Sequence, residues 1–236
     1  MSAAIAIHNA KQLRAMIFRM INMVNVLDPT ETVQHTNRVA AYTIEIYEAW
    51  ARKKGFSEKE IQHSRDILRM AAILHDIGKI GVPGDILKKH NNLSPEEERL
   101  YQFHTIYGAR LFADINSEFE EMVSIIALTH HEHWDGKGYP GYISIQDGTP
   151  IPGYQKADGQ AFGKSGTEIP IYGRLVAIAN VYDTLLQQLN PKDKFDDTKI
   201  VDTILAESGK QFDPEIVVAF LSCIDIIRSI YFRYPD

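Results

Sequence analysis

The sequence predicts an all-α fold, a helical bundle, on three observations. Apolar residues recur at three- and four-residue steps through most of the 236 residues, the period of a buried helix face. Helix start signals punctuate the chain at Ser57-Glu58-Lys59-Glu60, Ser94-Pro95-Glu96-Glu97 and Asp213-Pro214. No stretch alternates convincingly as a half-buried strand does, and no internal repeat is present.

Taken in order, residues 8–27 carry Leu13, Met16, Ile17, Met20, Ile21, Val24 and Leu27 on one face, an amphipathic helix that packs on the main domain or pairs with a copy of itself. Asp28-Pro29-Thr30-Glu31 reads as the start of the next helix, with Asp28 as N-cap; it runs to about Lys54, where Gly55 stops it. His35 lies one turn after Glu31, so Glu31 either caps its own helix or stands as a metal ligand beside His35. The Ser57 capping box opens the helix that delivers His75 and Asp76, and Gly78, Gly81, Pro83 and Gly84 then break the chain into a loop. The Ser94 box opens one helix through His104 to about Phe112. From Phe119 another leads to Thr129-His130-His131-Glu132-His133. Residues 142–166 are rich in Gly, Pro, Gln, Asp and Lys, an insertion expected to act as a mobile lid with Tyr154, Lys156, Phe162 and Lys164 near the ligand. An apolar helix over about 169–189, carrying Asn180 and Asp183, and two more near 197–208 and 214–231 close the bundle.

Length fits one domain, or a main domain of residues 28–236 with residues 1–27 as a helical appendage. Hydrophobic content of 44% and charged content of 24% are those of a soluble globular protein. A net charge of −6 supplies no basic footprint for duplex nucleic acid, though a local metal cluster still suits a small phosphorylated ligand. The single Cys223 excludes an intramolecular disulfide framework and a Cys-rich metal site, and reads as a small buried hydrophobe. No apolar run approaches the roughly 20 residues of a membrane span, and a secretory signal is absent, so a cytoplasmic location is expected.

The candidate chemistry centres on Leu74-His75-Asp76-Ile77-Gly78-Lys79. A neutral nitrogen beside a charged oxygen suits a first-row transition metal better than magnesium or calcium. Lys79, three residues after Asp76, is placed to clamp an anionic substrate. Glu31, His35, His75, Asp76, His104, His130 and His131 fall at helix ends or on interior faces, as ligands of a polynuclear site in a bundle do. His8, His63, His90 and His133 lack such company, and His63 and His90 read as solvent-facing.

These blocks resemble the HD-GYP family, the branch of the HD phosphohydrolase superfamily that cleaves cyclic dinucleotides. The resemblance is carried by His35-Thr36-Asn37-Arg38-Val39, by residues 71–83 around His75-Asp76, by His130-His131-Glu132-His133-Trp134-Asp135-Gly136-Lys137-Gly138-Tyr139-Pro140 and by Gly209-Lys210-Gln211-Phe212-Asp213-Pro214. It covers about residue 30 to the C-terminus and implies a five-helix HD core with flanking helices and two or three divalent ions, iron or manganese. By the family pattern His35, His75, Asp76, His104, His130 and His131 are ligands, with Glu31 completing a third position in some members. Lys79 contacts the scissile phosphate with Asp76 as its catalytic companion, and Tyr139 and Asp183 join Lys79 around the substrate. The implied reaction opens cyclic di-GMP to linear pGpG and then GMP. A regulatory protein and a homodimer are further expected partners.

Two departures stand out. The family bridges its metals with the first Asp of Ala-Asp-x-x-Asp, whereas this chain reads Ala179-Asn180-Val181-Tyr182-Asp183, leaving Asn180 or Asp183 to fill the position. Where the family continues with Arg-Pro-Tyr, this chain has Leu186-Gln187-Gln188-Leu189-Asn190-Pro191-Lys192. A weakened nucleotide sensor or docking module, and a hydrolase of another phosphoester, are the alternatives to a phosphodiesterase.

Overall fold

The structure, a computed structural model, describes residues 3–89, 92–189 and 197–235. Among these it is all-helical, with isolated β-bridges only; His90 and the segment Asn190-Pro191-Lys192 lie outside the described residues. The helix α1 spans Ala3–Leu27 and α2 spans Val33–Lys54. The central element is α2, whose Val39, Tyr42, Ile44, Ile46 and Ala51 are almost wholly buried. Around it pack α3 (Glu58–Ala72), α8 (Ile171–Gln188), α10 (Pro214–Ser222) and α11 (Ile224–Arg233). Between α3 and α8 lie α4 (Gly84–Leu87), α5 (Pro95–Gln102), α6 (His104–Leu111) and α7 (Glu118–Thr129), and α9 (Thr198–Ala206) packs on α8.

The start of α2 differs from the sequence expectation. Its N-cap is Thr32, whose hydroxyl accepts the His35 N–H at 3.0 Å. Asp28 instead closes a local turn, accepting the Thr30 N–H at 3.0 Å and the Thr30 hydroxyl at 2.6 Å. The reason is local: a short aspartate side chain can bond its own chain two residues on, in competition with a helix start. Glu31 therefore precedes the helix and caps nothing. Gly55, in the left-handed region at φ +83°, ends α2 as expected. The buried face of α1 carries Ile17, Ile21 and Val24 and meets α2 and the turn that follows α3.

The Ser57 capping box opens α3 and the Ser94 box opens α5. Two expected single helices are each divided. The chain breaks at Phe103 between α5 and α6, and at Cys223, φ −117° and ψ 16°, between α10 and α11. Cys223 is buried. His75 and Asp76 do not ride on α3; they follow its end, on a turn that leads into a short 3-10 segment, Ile77–Gly81.

That turn lies directly on α6. A Cβ at Gly78 would stand 1.9 Å from the His104 carbonyl oxygen and 2.3 Å from the Gly108 nitrogen, so only glycine permits the approach. The insertion folds on itself. The Tyr142 N–H donates to Phe162 O (2.9 Å), Ile151 N–H to Tyr142 O (2.8 Å) and Phe162 N–H to Tyr154 O (2.8 Å). Buried Glu132 anchors both its ends by accepting the Gly141 N–H at 2.7 Å and the Lys164 N–H at 3.1 Å.

Because the obstructing atoms at Gly78 are backbone, Gly78→Ala is expected to cost about 3 kcal/mol, the upper range for overpacking, and to displace His75 and Asp76. Urea unfolding of the variant beside Gly84→Ala, where the added methyl meets open space, checks this.

Candidate metal centre

Two groups of ligand atoms meet beside the His75-Asp76 turn. In one, atoms of Asp76, His104, His130 and His131 all lie within 4.8 Å of one another; in the other, atoms of Glu31, His35 and His75 do. Asp76 Oδ1 is 3.2 Å from both His104 Nε2 and His130 Nε2, and Asp76 Oδ2 is 3.6 Å from His75 Nε2. His35 Nε2 is 3.8 Å from Glu31 Oε2. The neighbours His75 and Asp76 thus serve different groups and join them.

The donor set passes a direct test of fit. Glu31 Oε2, His75 Nε2, Asp76 Oδ1, His104 Nε2, His130 Nε2 and His131 Nε2 are all buried without a hydrogen-bond partner. An unsatisfied buried polar atom costs about 1–3 kcal/mol, so six in two adjacent clusters call for cations. The rings are also held with that nitrogen facing inward. Nδ1 of His75 bonds Ala72 O at 3.0 Å, that of His104 bonds Tyr101 O at 2.7 Å, and that of His130 bonds Ile126 O at 3.0 Å. A proton on Nδ1 leaves the Nε2 lone pair free for a metal.

Electrostatics agree with this. Burial pushes the His75 imidazole down to about 3, that of His104 down, and that of His131 well below its ordinary value, so these rings are neutral at pH 7. Burial opposes ionisation of Asp76, but Lys79 and the surrounding histidines outweigh it and hold the carboxyl well below its usual range. His35 is the exception: burial lowers it, and Glu31 and Asp183 raise it to a net upward shift.

Lys79 is 3% exposed, and its Nζ contacts Glu31 Oε1 at 2.7 Å, Asp28 Oδ2 at 3.0 Å and Asp76 Oδ2 at 3.0 Å. Burial alone would lower its pKa, but these carboxylates raise it well above 10.5, so it stays cationic. A cleft of about 890 Å³ opens onto the centre and is lined by Glu31, His35, Asp76, Lys79, His131 and Asn180 among others. Asn180 thus faces the cleft from α8. Tyr139 does not line the cleft; its ring stacks on His131 at 4.7 Å and 17°. Asp183, expected at the substrate or as a bridge, is wholly buried behind His35 and also lies outside the lining.

Tyr154, Lys156, Phe162 and Lys164 are not among the residues lining the cleft, and the insertion is tied to Glu132 at both its ends. His63 is exposed and pairs with Glu118 at 2.8 Å. Two residues escaped the sequence reading. Asp28 carries one oxygen of the Lys79 clamp, and Tyr101 lines the cleft with its ring 5.8 Å from Lys79 Nζ. The signal for Tyr101 was its place three residues before His104.

A helical bundle that gathers seven histidine and carboxylate side chains into two adjacent buried groups is a metal-centre scaffold. The chain belongs to the HD domain family, whose model matches residues 32–185, in agreement with the HD-GYP resemblance of its motifs. It is 34% identical over 223 residues to a cyclic di-GMP phosphodiesterase of Thermotoga maritima, covering 93% of this chain and 52% of that protein. To 3'3'-cGAMP-specific phosphodiesterase 2 of Vibrio cholerae it is 31% identical over 223 residues, covering 94% and 37%. The chain therefore spans about half or less of the length of these relatives. The crystal structure of the PgpH HD domain of L. monocytogenes, in complex with cyclic di-AMP, shares the fold with a TM-score of 0.51 at 19% identity, over 92% of this chain and 99% of that one. Among the described residues no helix is long and apolar enough to cross a membrane.

Glu31→Gln is expected to lose one metal equivalent selectively, and Asp76→Ala most of the bound metal, with helicity unchanged in both. Metal analysis of anaerobically purified protein with circular dichroism measures this; wild-type stoichiometry in Asp76→Ala would remove Asp76 from the centre.

Proposed function

We propose that this chain is a metal-dependent phosphodiesterase that hydrolyses a cyclic dinucleotide, cyclic di-GMP foremost, to linear pGpG and then GMP. The observation that carries the reading is the pair of buried ligand groups whose free atoms open, with Lys79, onto a cleft of nucleotide size. The relatives support the substrate class, since they are a cyclic di-GMP phosphodiesterase and a 3'3'-cGAMP-specific phosphodiesterase. Two or three ions, iron or manganese, suit a set of imidazole nitrogens and carboxylate oxygens better than magnesium or calcium does. His104, His130, His131 and Asp76 would hold one, and Glu31, His35 and His75 another. Such ions supply Lewis-acid charge at the phosphoryl oxygens and make water a nucleophile near neutral pH.

The chain's own residues do the rest in this reading. Lys79, kept cationic by Asp28, Glu31 and Asp76, meets the scissile phosphate from the floor of the cleft. Tyr139 holds the His131 ring by stacking. Thr30, Glu98, Tyr101, Thr184, Gln188 and Gln211 line the space left for the nucleotide. A cytoplasmic location, a regulatory protein partner and a homodimer are kept as expectations from the sequence. One observation favours a second reading, a nucleotide sensor of weakened turnover: Asn180, which faces the cleft from α8, is an amide and a poor bridge between cations.

Incubation with cyclic di-GMP, 3'3'-cGAMP and cyclic di-AMP, with product identification, tests the activity; no hydrolysis of any by metal-loaded protein would leave the sensor reading. Lys79→Ala is expected to keep its metal yet raise the barrier by about 2–4 kcal/mol, the scale of a lost electrostatic clamp. A fully active variant would confine Lys79 to holding the carboxylates. Asn180→Asp is expected to tighten metal binding and raise the initial rate, while Asn22→Asp, on the exposed side of α1, does neither. If the enzyme is already complete without a bridge here, the added anion slows it.

A further inference from the structure

We infer that Asp183 is a positioning residue for His35, and that through Arg38 it ties the Glu31–His35–His75 half of the centre to the C-terminal turn. The inference rests on reading these groups as a metal site. Asp183 is wholly buried, and its Oδ2 lies 2.7 Å from His35 Nδ1. Arg38, equally buried, donates from Nε to Asp183 Oδ1 at 2.7 Å and from Nη2 to Oδ2 at 3.0 Å. The same guanidinium donates from Nη1 to the Tyr234 carbonyl at 2.7 Å and sits 5.2 Å from the centroid of the Tyr231 ring. The carboxylate accepting at His35 Nδ1 turns Nε2 toward Glu31.

What sets His35 apart is the source of its support. His75, His104 and His130 are held by carbonyls three or four residues earlier in the chain, which the local fold supplies. His35 is held by a side chain 148 residues away, on α8. Both oxygens of the buried Asp183 carboxylate are bonded, Oδ1 by Arg38 Nε and Oδ2 by Arg38 Nη2 beside His35. Arg38 thus fixes the group that orients His35, and Tyr234 and Tyr231 fix Arg38. Within the Glu31–His35–His75 group His75 is supported locally and His35 by a tertiary contact, so this group can be disturbed through His35. Gln187, which donates to Asp183 Oδ2 at 2.8 Å and also lines the cleft, is where this network reaches the substrate side. Orienting partners of this kind shift metal affinity about 10–100-fold when lost.

The test is Mn²⁺ titration by calorimetry on the full chain, with Asp183→Asn, His35→Ala and the double variant. In Asp183→Asn, one class of Mn²⁺ sites is expected to weaken about 10–100-fold while the other keeps its affinity, and the double variant to lose no more than His35→Ala alone. Unchanged affinities in Asp183→Asn, or losses that add in the double variant, overturn the inference. Wild-type protein that binds no Mn²⁺ stoichiometrically instead overturns the metal-site reading, and this inference with it. Where Asp183→Asn fails to fold, the wild-type Zn²⁺ form decides: nitrogen-15 NMR, assigned with His35→Gln, is expected to show the His35 proton on Nδ1. A proton on Nε2 in the loaded protein refutes the role.

Discussion

Everything at the centre follows from one constraint: polar atoms taken out of water must find a partner. The fold withdraws seven ligand side chains and an ammonium into its interior and satisfies the ammonium completely, with carboxylates of Asp28, Glu31 and Asp76 around it. Six nitrogen and oxygen atoms of the two ligand groups are buried without a hydrogen-bond partner in the protein. Cations would complete them. In His75, His104 and His130 Nδ1 is bonded and Nε2 is not, the pattern that distinguishes a prepared site from incidental histidines.

The fold meets the outer half of that demand economically. Carbonyls in the last turns of α3, α5 and α7, which also accept backbone N–H groups, are bonded by the Nδ1 atoms of His75, His104 and His130. One arrangement, repeated three times, orients a ligand from the end of a helix. The close backbone approach at Gly78 then carries the His75-Asp76 turn onto α6, so that Asp76 reaches His104 and His130 together.

Glu31, His35, Asp76, His131 and Lys79 line the cleft together with hydroxyl and amide side chains of the α5 and α8 regions. The insertion is braced by Glu132, just beyond the His130-His131 pair.

Periodicity, capping boxes and the ordered His-Asp and His-His blocks were enough to read the helical fold and the histidine and acidic side chains that the structure brings together. These signals are local, and the physics behind them acts over one helical turn. The break at Phe103, the capping of α2 by Thr32 and the turn made by Asp28 were not legible, because each depends on which of two local hydrogen-bond partners wins once the helices dock. The part played by Asp183 was further out of reach. In sequence it stands three residues past Asn180, a second acid on one helix; only the packing of α8 on α2 and of the C-terminal turn on Arg38 put it behind His35 instead of in the cleft. Sequence determined which side chains are suited to the chemistry, since that follows from side-chain type and spacing. Tertiary structure decided how the two ligand groups meet and what holds His35, since that follows from contacts between residues far apart in the chain, up to 148 positions for His35 and Asp183.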